Sequence, residues 1–558
     1  MAALDKSSTG LVAGKRNCDG TSKIAPLNPL VTPLLNDMYQ ITMAYSYWRS
    51  GRMNEHATFE LFFRKCPFNG EFVIFAGMDQ VINYLKAFKF TQADVEYLAS
   101  MPGLAGCDPA FFEYLLTLDC SEMVVSALED GTVAFPRVTL ISVSGPLIVG
   151  QLLETTLLNL VNFPSLIATN AARMRLAAGP DKTLLEFGLR RAQGPDGGVS
   201  ASRYAYVGGF DGTSNVRAGS LTGIHVSGTH AHSFVQSYQG WDDIKDPTLQ
   251  PISGGDAVNI VERVKAIRAT QDKWSLTNSS ELAAFVGYAQ SFPNAFLSLV
   301  DTYDTLQSGV ENFIIVAIAL HESGYTPRGI RLDSGDLAYL SKEARKMIDE
   351  AADQHNIPAL KKCIIVASND INEGVLLSLN NQGHAIDAFG IGTHLVTCQK
   401  QPALGCVYKL VEIEGAPRIK LSQDIDKVMI PGQKDIYRIF NTEGQPLVDL
   451  ICRKGEAAPT IGQRVLCRHP FQESKRANVT PTSVQRLLDV VWNGPKKFCK
   501  EPKTPDETRD FAITQLASMR ADMTRPHNPT PYKVSVTNSL YMFLHELWQS
   551  NMPVPELS

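Results

Sequence analysis

One pattern recurs seven times between residues 183 and 410: a short apolar run that ends in a cluster of small, polar or acidic residues. The runs are residues 184–185, 204–207, 224–226, 296–300, 329–332, 364–366 and 385–389. Helical stretches, such as 309–322 and 337–354, separate most of them. Continuous apolar runs are typical of parallel strands buried on both faces. The pattern predicts an irregular TIM-like α/β barrel with its polar clusters on the carboxyl rim, or alternatively an open doubly wound sheet.

The segments on either side of this region predict mixed helices and strands. We expect a helix at 36–48, a hairpin of strands 57–64 and 71–76 around a turn at 67–70, and a long helix from 148 that ends at 162, before Pro164. After residue 410 we expect strand pairs 407–414 with 418–421 and 435–440 with 447–452. The final 80 residues should be mostly helical, with one strand near 532–535.

Composition excludes several classes of protein. The chain has 558 residues, 44% hydrophobic and 20% charged, with a net charge of −5, which fits two or three globular domains without a basic nucleic-acid surface. No C-x-x-C pair occurs among the ten cysteines, so free thiols in a reducing compartment are expected. There is no apolar stretch of membrane-spanning length and no secretory signal, and residues 1–25 are expected to be a disordered tail.

Two histidines follow the third apolar run, in the sequence Gly-Thr-His-Ala-His-Ser at 228–233. His230 and His232 could be metal ligands, as in metal-dependent barrel hydrolases, but such sites need further ligands and His394 is the only clear extra histidine on the rim. Alternatively, one of the pair is a nucleophile or proton carrier, or both are ordinary turn residues.

Acidic clusters end two other runs, Asp301 to Asp304 and Asp333 to Asp336. On neighbouring strand ends they suit Mg²⁺ held with substrate phosphates, or a developing positive charge. Helix N-capping is the simpler explanation for each cluster alone.

The remaining rim clusters suggest anion binding. The glycine-rich turn 390–393 leaves backbone N–H groups free for a phosphate, although it could be only a tight turn. Arg190, Arg191 and Arg331 suit carboxylate or phosphate recognition, with Phe187 available to stack on a flat ring. Structural salt bridges are the alternative for these arginines.

These motifs, in this order, resemble those of the nicotinate phosphoribosyltransferases. The segments that carry the resemblance are 35–43 (LNDMYQITM), 59–64, 185–198 (LEFGLRRAQGPDGG), 228–233, 331–336, 368–372, 390–393 and 531–534. Together they extend over roughly residues 28 to 545.

The resemblance implies a fold and a reaction. The fold would be an irregular barrel at 166–405, with an α/β sandwich built from residues 26–165 and 406–558, the latter including C-terminal helices. Nicotinate, phosphoribosyl pyrophosphate and ATP would yield nicotinate mononucleotide, pyrophosphate, ADP and phosphate, with Mg²⁺ (or Mn²⁺) as cofactor. The protein would be a cytosolic homodimer with shared active sites, acting in NAD biosynthesis.

The resemblance also implies residue roles. His232 would be transiently phosphorylated by ATP and supported by Asp301, whereas the resemblance gives His230 no role. The substrate-binding residues would be Phe187, with Tyr39 of the neighbouring subunit, around the pyridine ring; Arg190 and Arg331 near anionic groups; Asp333 at the ribose; Ser368 and Asn369; and Gly392 and Thr393 at the phosphate. The metal ligands stay unassigned.

Several alternatives compete with this interpretation. Nicotinamide phosphoribosyltransferase is the nearest, and the arginine pair after Phe187 favours the anionic substrate over the neutral one. Quinolinate phosphoribosyltransferases are much shorter chains. A metal-dependent barrel hydrolase would need more histidine ligands, and an inactive scaffold would be expected to have lost His232 or Asp301.

Overall fold

The computed structural model describes residues 12–13, 22–422, 424 and 427–552. The described residues fall into two units. The barrel unit contains 171–206 and 210–399, with residues 12, 13 and 22, and the sandwich unit contains 23–170, 207–209 and the described residues from 400 onward.

Helices account for much of the described chain. They are α1 Met38–Arg49, α2 Met78–Ala87, α3 Gln92–Ser100, α4 Pro109–Leu115, α5 Leu147–Leu152, α6 Glu154–Ala178, α7 Gly194–Val207, α8 Val216–Thr222, α9 His232–Gln236, α10 Ile260–Arg268, α11 Asp272–Ser275, α12 Ser279–Ser291, α13 Val310–Glu322, α14 Leu337–Gln354, α15 Glu373–Gln382, α16 Thr393–Val396, α17 Pro505–Ser518 and α18 Asn538–Asn551.

The strands are mostly short. They are β1 Val12–Ala13, β2 His56–Phe63, β3 Val73–Ile74, β4 Val124–Ala127, β5 Val133–Ala134, β6 Ile141–Pro146, β7 Thr183–Glu186, β8 Gly212–Thr213, β9 Ser227–Gly228, β10 Thr248–Leu249, β11 Val258–Asn259, β12 Leu297–Leu299, β13 Gly329–Leu332, β14 Ile364–Ala367, β15 Ala388–Ile391, β16 Cys406–Ile413, β17 Ala416–Pro417, β18 Lys434–Phe440, β19 Pro446–Arg453, β20 Val465–Arg468, β21 Arg476–Val479, β22 Ser483–Arg486, β23 Asp489–Asn493, β24 Phe498–Cys499 and β25 Val534–Thr537.

A six-stranded parallel sheet organises the barrel unit, in the order β12-β13-β14-β15-β7-β8. Beyond β8, an isolated parallel bridge joins Thr213 to Val226, the residue that precedes β9. The strands are almost wholly buried, and helices such as α13, buried from Val310 to Leu320, cover them. This is the irregular α/β barrel that the apolar runs predict, with its strands buried on both faces.

Strand register places the chemically active segments on one rim. Leu299 pairs with Arg331, Leu332 with Ala367, and Ile391 with Glu186. Because parallel strands all point the same way, the segments that follow them emerge together at the carboxyl edge of the sheet.

Two large sheets and the small pair β3-β5 form the sandwich unit, and the first of the large sheets contains strands from both ends of the chain. One has the order β17-β16-β2-β6-β4-β23-β24 and the other β21-β20-β25-β19-β18-β22. In the second sheet, Arg438 and Asp449 form a fully buried pair through two hydrogen bonds of 2.8 Å. This pair keeps two charges satisfied inside the unit, where an unpaired charge would be costly.

The predicted hairpin of 57–64 and 71–76 is wrong. Strand β2 pairs with β16 and β6, whereas β3 pairs with β5. The apolar residues of β2 are buried along nearly its whole length, so it is a central strand that needs two long-range partners.

The predicted end of a helix before Pro164 is also wrong, since α6 continues through Pro164 to Ala178. Proline removes the N–H that would bond the Leu160 carbonyl. That carbonyl lies against Gly77, where an added Cβ would stand 2.1 Å from the oxygen. Close packing against a glycine lets the helix keep a proline that local rules would exclude.

Two of the seven predicted barrel strands are wrong, and so is the prediction that the final 80 residues are mostly helical. Residues 204–207 end helix α7, and 224–226 contribute only the bridge at Val226 before β9. The final 80 residues contain α17 and α18, but also β22 to β25, so they are not mostly helical. Short apolar runs do not distinguish a buried strand from a buried helix turn.

Most other predicted elements are confirmed, including α1, α13, α14 and the antiparallel pair β18 and β19. The nine cysteines of the described chain are free thiols. Within the same residues, no helix has the length and apolar character needed to cross a membrane.

Candidate active site

His232 begins helix α9 on the carboxyl rim of the barrel unit and faces two acidic residues. Its Nε2 lies 3.9 Å from Asp301 Oδ1 and 3.7 Å from Asp333 Oδ2. Its Nδ1 lies 3.1 Å from the Thr302 hydroxyl. The ring is 38% exposed, so one face remains open to a substrate.

Asp301 is the fixed partner in this group. Its side chain is only 1% exposed, and its Oδ2 accepts the Asp333 N–H at 2.8 Å and the Ser334 hydroxyl at 2.6 Å. Its Oδ1 is buried, has no hydrogen-bond partner in the described residues and is directed toward the His232 imidazole. A buried carboxylate oxygen without a donor favours an imidazole N–H or a cation beside it.

Arg331 connects the neighbouring strand ends. Its Nε donates to the Ser368 hydroxyl at 2.9 Å, and its Nη1 donates to Thr229 Oγ1 at 2.9 Å. Ser368 in turn donates to Asp333 Oδ1 at 2.6 Å, and Arg331 lies 3.6 Å from the same carboxylate. Burial lowers the pKa of Arg331, and the positive charge of Arg190 adds to this effect. The guanidinium is therefore an ordered, poorly hydrated cation suited to an anionic group.

Phe187 follows β7 and forms an aromatic wall beside this cation. The Arg331 guanidinium lies 5.9 Å from the centre of its ring. Gly390 lies against the ring, because an added Cβ there would be 2.3 Å from Phe187 Cδ2. An aromatic face next to a guanidinium is a suitable place for a flat anionic ring.

Glu186 holds the loop that carries Phe187. Its buried carboxylate accepts the Gly188 N–H, the Ser202 hydroxyl at 2.7 Å and the Thr213 hydroxyl at 2.5 Å. Three donors on one buried carboxylate fix the turn after β7, and with it the direction of Phe187.

The glycine-rich turn also lies on this rim. Gly392 precedes the short helix α16, and the Thr393 hydroxyl accepts a hydrogen bond from Arg191 at 3.1 Å. Arg190, Arg191 and Asn369 are exposed on the rim. The predicted residues of the barrel unit are thus gathered at one edge. Tyr39 belongs to α1 of the sandwich unit and is 47% exposed.

Comparison with known proteins agrees with this arrangement. The family model described as the nicotinate phosphoribosyltransferase N-terminal domain matches residues 34–162, and the C-terminal domain model matches 433–544. Nicotinate phosphoribosyltransferase 1 of Arabidopsis thaliana is 52% identical over 99% of this chain and 100% of its own length. The Dictyostelium discoideum nicotinate phosphoribosyltransferase is 51% identical, over 97% of this chain and 92% of its own.

The chain belongs to the nicotinate phosphoribosyltransferase family. The crystal structure of human nicotinic acid phosphoribosyltransferase superposes with a TM-score of 0.83 at 43% identity, covering 92% of this chain and 99% of the human one. The barrel-plus-sandwich fold of this family is therefore confirmed.

Family membership replaces the metal-dependent barrel hydrolase as an interpretation of the two histidines. Within the described residues, no three His, Cys, Asp or Glu side chains form a group that could hold a metal ion. His230 is buried, and its Nε2 accepts the Leu299 N–H at 3.3 Å. Of the two histidines, only His232 has a side chain that is substantially exposed to solvent.

Sequence reasoning missed three polar residues of this nicotinate phosphoribosyltransferase site. Thr302 contacts His232, Thr229 accepts from Arg331, and Glu186 holds the Phe187 loop. Each follows or ends an apolar run that the sequence marks clearly. Their partners, however, lie on other strands, so only the fold could pair them.

Proposed function

We propose that this chain transfers the phosphoribosyl group of phosphoribosyl pyrophosphate to nicotinate, coupled to ATP hydrolysis through a phosphohistidine at His232. The family's name and the full-length similarity support the transfer reaction. The phosphohistidine is supported by one observation: the partly exposed imidazole of His232 lies beside the carboxylates of Asp301 and Asp333.

Phosphorylation of His232 requires a ring nitrogen with a free lone pair. Asp301 Oδ1, buried and without a donor, retains the ring proton on the nitrogen facing it and stabilises the positive charge that develops. The other nitrogen, next to Thr302, attacks the terminal phosphorus of ATP, and the bond to ADP breaks. Water later attacks the phosphohistidine, which releases phosphate and restores the imidazole.

In the transfer step, the bond between ribose C1 and pyrophosphate breaks while the nicotinate nitrogen bonds to C1. Positive charge develops on the sugar, because the pyridine nitrogen is a weak nucleophile. Asp333, held by Ser368 and close to Arg331, is placed to bind the ribose and stabilise that charge.

Nicotinate is bound by the Phe187 face and by cationic groups. Arg331, which is largely but not fully buried, is the candidate for the carboxylate, and Arg190 supplies a second positive charge at the rim. Tyr39 of a neighbouring subunit would cover the other face of the ring. Nicotinamide has no carboxylate to match these cations, so the acid is the preferred substrate. Asn369, Gly392 and Thr393 remain the candidates for further substrate and phosphate contacts.

Mg²⁺ is the expected cofactor, and the residues present fit it. The partly exposed carboxylate of Asp333 supplies one ligand, and Mg²⁺ is usually held by one or two carboxylates together with substrate phosphates. When bound, the ion would neutralise the charge of the departing pyrophosphate. A homodimer with shared sites and a cytosolic location belong to the same proposal.

Initial rates of pyrophosphate release test the proposal. Nicotinate and nicotinamide are compared with and without ATP, for the native chain, for His232→Ala and for His321→Ala, which removes an exposed histidine of α13. We expect turnover with nicotinate, stimulated by ATP, with the stimulation lost only in His232→Ala. Equal use of nicotinamide would overturn the assigned specificity, and ATP stimulation that survives in His232→Ala would overturn the phosphohistidine.

A further inference from the structure

A cavity of about 650 Å³ lies in the sandwich unit, and every residue that lines it belongs to that unit. It opens against the sheet that contains β19, β20, β21 and β25. Its volume is within the range of small-molecule sites, about 300–1,000 Å³. The residues assigned above to the transfer reaction do not line it, so any ligand here has a role beyond the proposed function.

The floor of the cavity is apolar. Val448, Cys467 and Val479 lie on one face of the sheet and belong to one apolar cluster, with one residue from each of three strands. Adjacent strands of a sheet present such side chains as a nearly flat surface. A flat apolar ring would remove this surface from water at little steric cost.

The rim of the cavity is cationic. Arg137, Lys475, Arg476 and Lys533 line it, and Glu71 is its only acidic lining residue. Among the described residues, no carboxylate comes within 4.0 Å of the charged group of Lys475, Arg476 or Lys533. Three cations without a neutralising partner around one opening attract an anion.

His469 is a further polar residue of this rim. Its Nδ1 accepts the backbone N–H groups of Phe471 at 3.2 Å and Gln472 at 3.1 Å. These two bonds hold the imidazole ring in place at the rim.

One wall is held rigid by buried contacts. The ring of Tyr532 stacks on Phe135 with centroids 3.6 Å apart, and its hydroxyl donates to Asp449 at 3.0 Å. Asp449 is itself fixed by the buried pair with Arg438. Preorganised walls lower the entropy cost of binding a ligand.

Arg137 has a strained backbone at the edge of the cavity. Its φ is 70°, in the left-handed region, and its N–H donates to the Phe63 carbonyl at 2.8 Å. Its guanidinium lies 5.3 Å from the centre of the Phe471 ring. Left-handed backbone at a residue other than glycine is uncommon and is concentrated at ligand sites.

We propose that this cavity binds an organic anion of mononucleotide size, with its flat ring on the sheet and its phosphate at the cationic rim. The site would make the sandwich unit a second ligand-binding unit of the chain.

Hydrogen exchange of the full-length protein tests the proposal at the site itself. Strand β21 is an edge strand and is largely exposed, so its amides should exchange readily without a ligand. We expect AMP to slow exchange at residues 476–479 about five-fold or more, whereas adenosine and inorganic phosphate, each lacking one half of the ligand, leave it nearly unchanged.

Two variants and a control sharpen the test. The double variant Lys475→Glu with Arg476→Glu should raise the AMP concentration for half protection about ten-fold or more, as expected when charge-assisted contacts are lost. Ala477→Trp, at an exposed lining position paired with Cys467, should abolish protection by filling the cavity. Lys496→Glu makes the same kind of charge change at an exposed position outside the lining, and should leave the AMP concentration unchanged.

Three results would overturn the proposal. The first is protection by adenosine or phosphate alone that equals protection by AMP. The second is the absence of protection of residues 476–479 by AMP. The third is binding of AMP by the lining variants with the affinity of the native chain. Protection that grows with protein concentration without any ligand would instead assign the cavity to contact between two copies of the chain.

Discussion

The imidazole Nε2 of His230 accepts the backbone N–H of Leu299 at 3.3 Å. Leu299 ends the edge strand β12, and β12 and β9 share no ladder in the described part of the chain. A side chain thus supplies the acceptor that a neighbouring strand would otherwise provide. Asp301 follows Leu299 by two residues and His232 follows His230 by two, so this hydrogen bond ties together the two segments that carry the proposed catalytic pair.

His230→Leu should weaken the fold in a pH-dependent way. Burial lowers the pKa of His230 to about 4, so the unfolded chain takes up a proton first as the pH falls below about 6.5. The native chain should therefore lose about 2 kcal/mol of stability from this group between pH 7.5 and 5. The leucine variant, with a buried N–H left unpaired, should be less stable by about 1–3 kcal/mol at pH 7.5 but should not show this loss.

Unfolding midpoints at pH 7.5 and 5 measure the effect, with His321→Leu, an exposed histidine, as the control. The difference in stability between the native chain and His230→Leu should become smaller as the pH falls. A gap that stays constant would show that His230 takes up its proton in the folded chain as readily as in the unfolded one.

Gly390→Ala should separate the nicotinate side of the site from the ATP side. The new methyl group would stand 2.3 Å from Phe187 Cδ2, so the ring must move. We expect the KM for nicotinate to rise about ten-fold or more, while ATP hydrolysis without nicotinate changes little. Gly240→Ala is the control, since nothing lies within 4 Å of its added Cβ. Equal losses in both activities would mean that Phe187 does not act on nicotinate alone.

The rim of the barrel could be predicted from the sequence because each buried strand leaves a continuous apolar run and each run ends in residues that do not suit the core. This places Asp301, Asp333 and Ser368 at strand ends without any knowledge of the fold. The contacts between them depend on register, which the runs do not encode. The hydrogen bond from Ser368 to Asp333 joins residues 35 apart in sequence and needs β13 and β14 in place.

The wrong predictions of secondary structure also arise from tertiary contacts that the sequence pattern does not encode. Residues 204–207 are apolar enough for a strand, yet they end α7, and their tertiary neighbours decide the outcome. Helix α6 passes through Pro164 because the Leu160 carbonyl packs against Gly77, a contact between residues 83 apart. Local rules give the cost of a proline in a helix but not the packing that offsets it.

Arg331→Lys should impair catalysis more than stability. An ammonium group is a single point donor and does not reproduce the two hydrogen bonds to Ser368 and Thr229. Loss of one charge-assisted hydrogen bond to the nicotinate carboxylate costs about 1.5–3 kcal/mol, so kcat/KM for nicotinate should fall about ten-fold to a hundred-fold. Arg263→Lys alters an exposed pair with Glu322 and should leave kcat/KM unchanged. A lysine variant with native kcat/KM would show that a positive charge alone suffices at this position.

Glu281→Gln should stabilise the protein above neutral pH. Burial raises the pKa of Glu281 to about 7, and the nearby charges of Asp301 and Asp304 add to this, while hydrogen bonds from Ser308 and Asn312 act against it. The folded chain therefore holds a proton that the unfolded chain has released, so stability falls as the pH rises from about 4.5 through 7.

The ionised form costs about 3 kcal/mol at pH 8, and glutamine, which is always neutral, avoids this cost. Unfolding free energies should show the variant more stable at both pH 5.5 and pH 8, by about 1 kcal/mol at the lower pH and about 3 kcal/mol at the higher one. Gln290→Glu, on the same helix but with its side chain bonded to the Asp246 and Thr248 carbonyls, is the converse control and should lose stability at both values. A Glu281→Gln variant that is no more stable at pH 8 would mean that Glu281 ionises in the fold at its ordinary pKa.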